Sequence, residues 1–307
     1  MQWLRMYRMT AVRALRRYSR VLVACGLAVL VCAGPGLAHA QEDFPVTVEQ
    51  CGRTLTFDEP PSRVVTGYHP VFENLVALGL GEEQIIGRTN FSENGPDGFL
   101  PGQKQVYDAI PEVSPNIDLP QKEALLTLEP DFVIAVGYYD FDASRGLATI
   151  PEFADAGIPA YITGSHCNPE GLRTGEIADL FDDIHNLGKI FGVPDRAAAL
   201  TAELKALLAD VEQRVEGLEP VDVLSTDGGA GPVAVHGGSG FVNQMIELAG
   251  GRNVFADIDE SGAQVSAERI AATSPEAMLV LDYDVYLGER LPSAEEKADT
   301  VFALIPE

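Results

Sequence analysis

Residues 195–218 read DRAAALTAELKALLADVEQRVEGL, a stretch whose composition and spacing commit it to one long helix. Leu200, Leu204, Leu207, Val211, Val215 and Leu218 recur at intervals of three and four, which lays an apolar stripe along one face. Ala, Leu, Glu and Lys are strong helix formers, and Asp195 can cap the first turn after Pro194. At 1.5 Å per residue the rod is about 35 Å long. The chain on its two sides follows one plan twice, so the rod is expected to be a stiff strut between two lobes. An ordinary helix within a single α/β domain is the alternative.

The repeat is visible in the residues themselves. Glu123–Ala135 (EALLTLEPDFVIA) aligns without gaps on Glu268–Val280 (ERIAATSPEAMLV), with Pro130 and Pro275 in register. Both predict a helix, a turn at the proline and a buried strand. A looser echo pairs Leu75–Gly79 with Ile246–Gly250. Elsewhere the pattern predicts an edge hairpin over 46–57 turning at Gly52, strands at 63–66, 85–87, 131–137 and 160–163, and helices at 72–78, 121–128, 151–156 and 174–191. Residues 92–120 are dense in Gly, Pro, Asp and Asn and are expected to be mostly loop. Past the rod, strands are expected at 221–224 and 233–235 and a helix at 241–249. This alternation argues for mainly parallel sheets in two Rossmann-like lobes. The expected divisions are 41–194, 195–218 and 219–307. A parallel lobe calls for another strand and helix after the one begun near Ser293, so either the second lobe is small or the chain is incomplete.

Residues 1–40 have the form of a cleaved export signal. Arg5, Arg8, Arg13, Arg16, Arg17 and Arg20 precede the apolar run Val21–Ala33, and Ala38-His39-Ala40 is a small-x-small cleavage site. The spacing around Cys25 and Cys32 fits a lipoprotein site poorly, and Arg16-Arg17 leaves twin-arginine export open beside the general route. Without those six arginines, 15 Lys and Arg face 46 Asp and Glu, a formal charge of −31. That argues against nucleic acid and anionic membranes as partners. Cys51 and Cys167 remain. Two cysteines in an oxidising compartment most often pair, and closing so long a loop stabilises by roughly 4–5 kcal/mol in the chain-entropy model. A two-cysteine metal site is the alternative.

No catalytic motif survives inspection. Gly229-x-Gly231-x-x-Ala234 superficially matches a dinucleotide fingerprint, but a strand rather than a helix follows it. The histidines lack ligand spacing: His69 and Glu73 alone do not make a metal site, and His185 is expected to be structural. The better candidates lie just past the carboxyl ends of strands, where α/β sheets place ligands. They are Tyr68, His69, Arg88, the run Tyr138-Tyr139-Asp140-Phe141, His166, Asp227, His236 and Tyr283. Aromatic and polar groups of this kind hold solutes without a catalytic base.

Taken together, several motifs resemble one family. They are PPSRVVTGYHPVFENLVALGLGEEQIIGRT (60–89), EALLTLEPDFVIAVG (123–137), FADAGIPAYI (153–162), LGKIFGVPDRAAAL (187–200), GSGFVNQMIELAGGRNVFAD (238–257) and QVSAERIAATSPEAMLVL (264–281). The chain is similar to the substrate-binding proteins of ABC importers that receive iron–siderophores, haem and cobalamin. The resemblance implies two α/β lobes on one long helix with a shallow cleft between them. It implies that Glu73 and Glu247 dock onto arginines of the membrane permease. It also implies that Tyr138, after Gly137, contacts ligand as in the hydroxamate branch. The loop GYHPVFEN departs from that family's small-residue run, and the family continues past the position of Glu307. The expected function is a monomeric, extracytoplasmic receptor in the periplasm or at the outer face of the cell membrane. It would capture a ferric siderophore of hydroxamate type and carry no cofactor or catalytic residue. A haem or cobalamin receptor is the nearest alternative, an exported Rossmann-like enzyme the one of another class. The scattered histidines do not promise a bare zinc or manganese site.

Overall fold

The computed structural model describes residues 44–90, 102–167, 175–229, 231–281, 285–286, 289–290 and 292–305. The proposed signal and Tyr283 lie outside the described residues. The first half opens with the hairpin β1 (Val46–Gln50) and β2 (Arg53–Phe57), which turns at Cys51-Gly52 as expected. It continues through β3 (Val64–Thr66), α1 (His69–Ala77), β4 (Ile85–Thr89), α2 (Gln103–Ala109), β5 (Glu112–Ser114), α3 (Lys122–Thr127), β6 (Phe132–Ala135), α4 (Ile150–Asp155), β7 (Ala160–Ile162) and α5 (Ile177–Ile190). The segment expected to be mostly loop thus contains α2 and β5. Flanking glycines and prolines masked a short helix and a three-residue edge strand.

The first sheet is parallel throughout, in the order β5-β4-β3-β6-β7. Its two faces are buried in separate apolar clusters, one around Phe72, Phe132 and Leu187, the other around Val133, Phe153 and Ile162. A strand buried on both faces reads as an unbroken apolar run, and FVIA does. β7 is an edge, and the hairpin covers it: Arg53 Nη1 donates to the Ala160 carbonyl at 2.9 Å and Gln50 Nε2 donates to that of Ile162. The Cys51–Cys167 disulfide fastens the same edge.

The long helix α6 (Pro194–Val215) follows. Its predicted stripe is only partly used. Leu200 and Leu204 pack on the first core, whereas Leu207 is 59 % exposed and Leu218 lies beyond the last turn. The helix is held at its ends. Gly79 and Gly250, the last residues of the looser echo, both take positive φ (81° and 77°), a conformation that glycine adopts without strain. A side chain at Gly79 would strike Arg196 at the start of α6, and one at Gly250 would meet Val215 at its end, 2.9 Å away.

Beyond it lie β8 (Val221–Gly228), β9 (Val233–Val235), α7 (Phe241–Leu248), β10 (Gly251–Asn253), β11 (Ala263–Val265), α8 (Ala267–Ala271), β12 (Ala277–Val280) and α9 (Ala294–Phe302). This second sheet is mixed rather than mainly parallel. β10 and β12 run parallel to β8, while β9 is antiparallel to both β8 and β11. The repeat holds in three dimensions: α3–β6 and α8–β12 each place a strand parallel to the first strand of its sheet. Leu125 and Ile270, aligned in that repeat, are the buried residues of their helices.

Candidate functional site

Because the first sheet is parallel, the residues after β3, β4, β6 and β7 share one edge. Tyr68 stands two residues past the end of β3 and caps α1 at φ 42°, sparsely allowed for a side chain of its size. Its backbone N–H donates to Thr89 Oγ1 on the neighbouring strand at 2.9 Å. After β6, the 3₁₀ turn Tyr138–Phe141 presents a half-buried Tyr138 and an exposed Tyr139. Gly137 permits this, since a Cβ there would lie 2.7 Å from the Tyr139 ring and 3.5 Å from the His166 Cβ. Tyr139 and His166 therefore flank one point on the edge. His166 follows β7 in the turn Gly164–His166, next to the disulfide.

Two candidates of the same edge are turned into the protein. Arg88 is buried: its Nε donates to the Tyr107 carbonyl at 2.9 Å, its guanidinium lies 3.5 Å from the Tyr107 ring centre, and Nη1 is 3.7 Å from Glu112. His69 is also buried, with Nε2 3.1 Å from Glu73 Oε1. On the second sheet, Asp227 and His236 come together at 3.9 Å, and His236 Nδ1 shares a hydrogen bond with Ser225 Oγ at 3.0 Å. Ser225 is fully buried, so this is a positioning arrangement and not an accessible nucleophile.

Two buried carboxyls support the edge. Asp140 accepts from the Gly137 N–H at 3.1 Å, and burial pushes its pKa up to about 7. Asp183, on α5, accepts from Tyr161 Oη at 2.6 Å and from the Gly164 N–H, and burial likewise raises it to about 7. Sequence reasoning missed Thr89, Ser225 and Asp183. Their roles depend on partners distant in the chain, and no local pattern marks them. Among the described residues no group of His, Cys, Asp and Glu is arranged to hold a metal ion.

Glu73 stands on α1 and Glu247 on α7, exposed and accepting from Asn243 Nδ2 at 2.9 Å. In the looser echo Glu73 aligns with Gln244, one turn before Glu247. Glu247 also lines a cavity of about 780 Å³ where α6, α7 and Ile177 meet. A second cavity, of about 810 Å³, lies around Pro60, Gly79 and Arg196. Neither is lined by the ligand candidates.

A family model for periplasmic binding proteins matches residues 64–300 of this chain. The chain belongs to that family. A cobalamin-binding protein of Halobacterium salinarum is 26 % identical over 278 residues, covering 84 % of this chain and 67 % of the relative. Two solved structures share the fold. One, described as an ABC-type Fe³⁺-hydroxamate transport system from Saccharomonospora viridis, has a TM-score of 0.63 at 24 % identity and covers 85 % of this chain and 90 % of that one. The other, a periplasmic binding protein from Veillonella parvula, has a TM-score of 0.65 at 21 % identity, with 80 % and 79 % covered. By family this chain is accordingly a periplasmic binding protein. Members of the family are solute-binding proteins and not enzymes, which removes the exported-enzyme alternative. Among the described residues no helix is long and apolar enough to cross a membrane.

Proposed function

We propose that this periplasmic binding protein captures a ferric siderophore of hydroxamate type between its lobes and delivers it to the permease. The observation that carries this reading is the set of Tyr68, Tyr138, Tyr139 and His166 along one edge of the first sheet; the reading assigns Asp227 and His236, paired on the second sheet, to the same ligand. Phenol and imidazole rings give apolar contact and hydrogen bonding together, which suits a compact chelate with a polar rim. The likeness to the Fe³⁺-hydroxamate structure supports it. In the same reading residues 1–40 are an export signal, 41–194 and 219–307 are the lobes, and the mature protein is a monomer. Glu73 and Glu247 dock onto permease arginines through charge-assisted pairs. Tyr68, Tyr138 and Tyr139 orient the ligand, whereas Arg88 and His69 brace the wall from behind.

Titration with a neutral ferric trihydroxamate should quench tyrosine fluorescence saturably, and Tyr138→Ala should weaken binding about tenfold or more, the worth of a well-packed aromatic contact. No quenching across a panel of siderophores would overturn the reading. Cobalamin is the second reading, favoured by the relative in Halobacterium salinarum, and it is tested in the same titration together with haem.

A further inference from the structure

The long helix is tied unequally to the two halves it joins. Along the first half α6 is packed: Leu200 and Leu204 rest on the first core, Gly188 of α5 leaves no room for a Cβ against Ala197, and Arg196 donates to the Leu78 carbonyl at 3.2 Å. Its exit to the second half is looser. Residues 216–220 are all exposed, and Gly217 takes φ 75° with open space where a side chain would stand. A few terminal residues of this kind can absorb the backbone rotation of a hinge.

One side chain reaches back across that hinge. Gln244, on α7 of the second half, accepts through Oε1 from the backbone N–H of Ile177 at 2.9 Å. Ile177 is the first residue of α5, where a helix N–H has no acceptor within its own helix. Gln244 is therefore a cap supplied to the first half by the second, and both residues are half-buried. The capped helix also bears on the candidate ligand wall. Two turns further along α5, Asp183 accepts from the Gly164 N–H that opens the turn carrying His166.

We infer that Gln244 is a positioning residue, a latch that holds the two halves at one separation by capping α5 from across the hinge. Its consequence for ligand rests on the reading above, in which both halves contribute to one site: a latched pair of walls is preorganised, so less ordering remains to be done on binding.

Two variants test this. Gln244→Leu removes the acceptor at similar volume, whereas Gln244→Glu keeps one and places a carboxylate where the dipole of α5 favours it. Spin labels at the exposed Asp155 and Glu260, introduced as an unnatural amino acid so that the disulfide stays intact, report the separation of the halves. In ligand-free protein Gln244→Leu should broaden the distance distribution, and amide exchange at Ile177 should be on the order of tenfold faster. Gln244→Glu should match the parent in both. A neutral ferric trihydroxamate should bind Gln244→Leu about fivefold more weakly than the parent, the worth of one hydrogen bond, and Gln244→Glu as the parent does. A distribution in Gln244→Leu as narrow as the parent's would overturn the latch, whatever the ligand. A broadened distribution with unchanged affinity would overturn its part in ligand capture. Failure of the parent to bind the trihydroxamate would overturn the siderophore reading alone, since the ligand-free distances still decide the latch.

Discussion

The two sheets solve the same packing problem with different completeness. In the first, every residue of β3, β6 and β7 is buried, and helices and a hairpin close both faces and one edge. In the second, β12 alternates between exposed and half-buried residues. Leu279 is 42 % exposed, and its register partner on β8 is the fully buried Ser225. The mixed strand directions go with this difference. A parallel strand needs a crossover, and the crossover brings its helix onto the sheet, whereas the β8–β9 connection is a hairpin and brings none. The comparison teaches where rigidity is held. Most of the candidate ligand wall stands on the sheet that is enclosed.

The largest effect that would sharpen this contrast comes from truncating one strand side chain in each sheet. Phe132→Ala removes a fully buried ring in edge-to-face contact with Phe57 and Tyr161, and should lower unfolding free energy by about 3–5 kcal/mol in urea titrations. Leu279→Ala should lower it by less than about 1 kcal/mol, since much of that side chain is already in water. Equal losses would break the comparison.

Replacing Cys51 and Cys167 together by serine should lower stability by about 2–5 kcal/mol and release the hairpin from the β7 edge. Amide exchange should then quicken in β7 and around His166 while β8 and β12 keep their protection. Uniform quickening in both sheets would contradict the localisation argued here.

The smallest expected effect is a slope. Burial raises the Asp183 carboxyl from 3.8 to about 7, so its contribution to stability is complete below about pH 4 and is lost as pH rises through 7. Asp183→Asn should therefore gain on the parent protein between about pH 4 and 7, with no further change above about pH 8. Urea midpoints for both proteins across that range give the result, and parallel curves would refute it. The shifts found for carboxyls of the second half, at the half-buried Asp222 and the exposed Glu268, belong to groups held low by hydrogen bonds.

Much of the fold was legible in the chain because it depends on local pattern. The aligned pair Leu125 and Ile270 marked two copies of one helix–strand unit, and both are buried. The long helix announced itself by composition, the hairpin by alternation about Gly52. What was not legible was each side chain's commitment. Arg88 and His69 sit where a ligand residue should, after strands that end at the right edge, yet Tyr107, Glu112 and Glu73 claim them. The stripe on α6 predicted burial along its whole length, but contact occurs only where a neighbouring element reaches it.

The sequence by itself determined the periodicities: a helix of six turns, two α/β halves, and the set of aromatic and charged residues at strand ends. Those are properties of neighbours within a few positions, where backbone geometry fixes which side chains share a face. Only the tertiary structure decided which of those residues remain available, because burial and ion pairing arise from segments brought together by folding. Arg88 and Arg145 illustrate the point, since each is neutralised by a carboxylate from a different stretch of the chain.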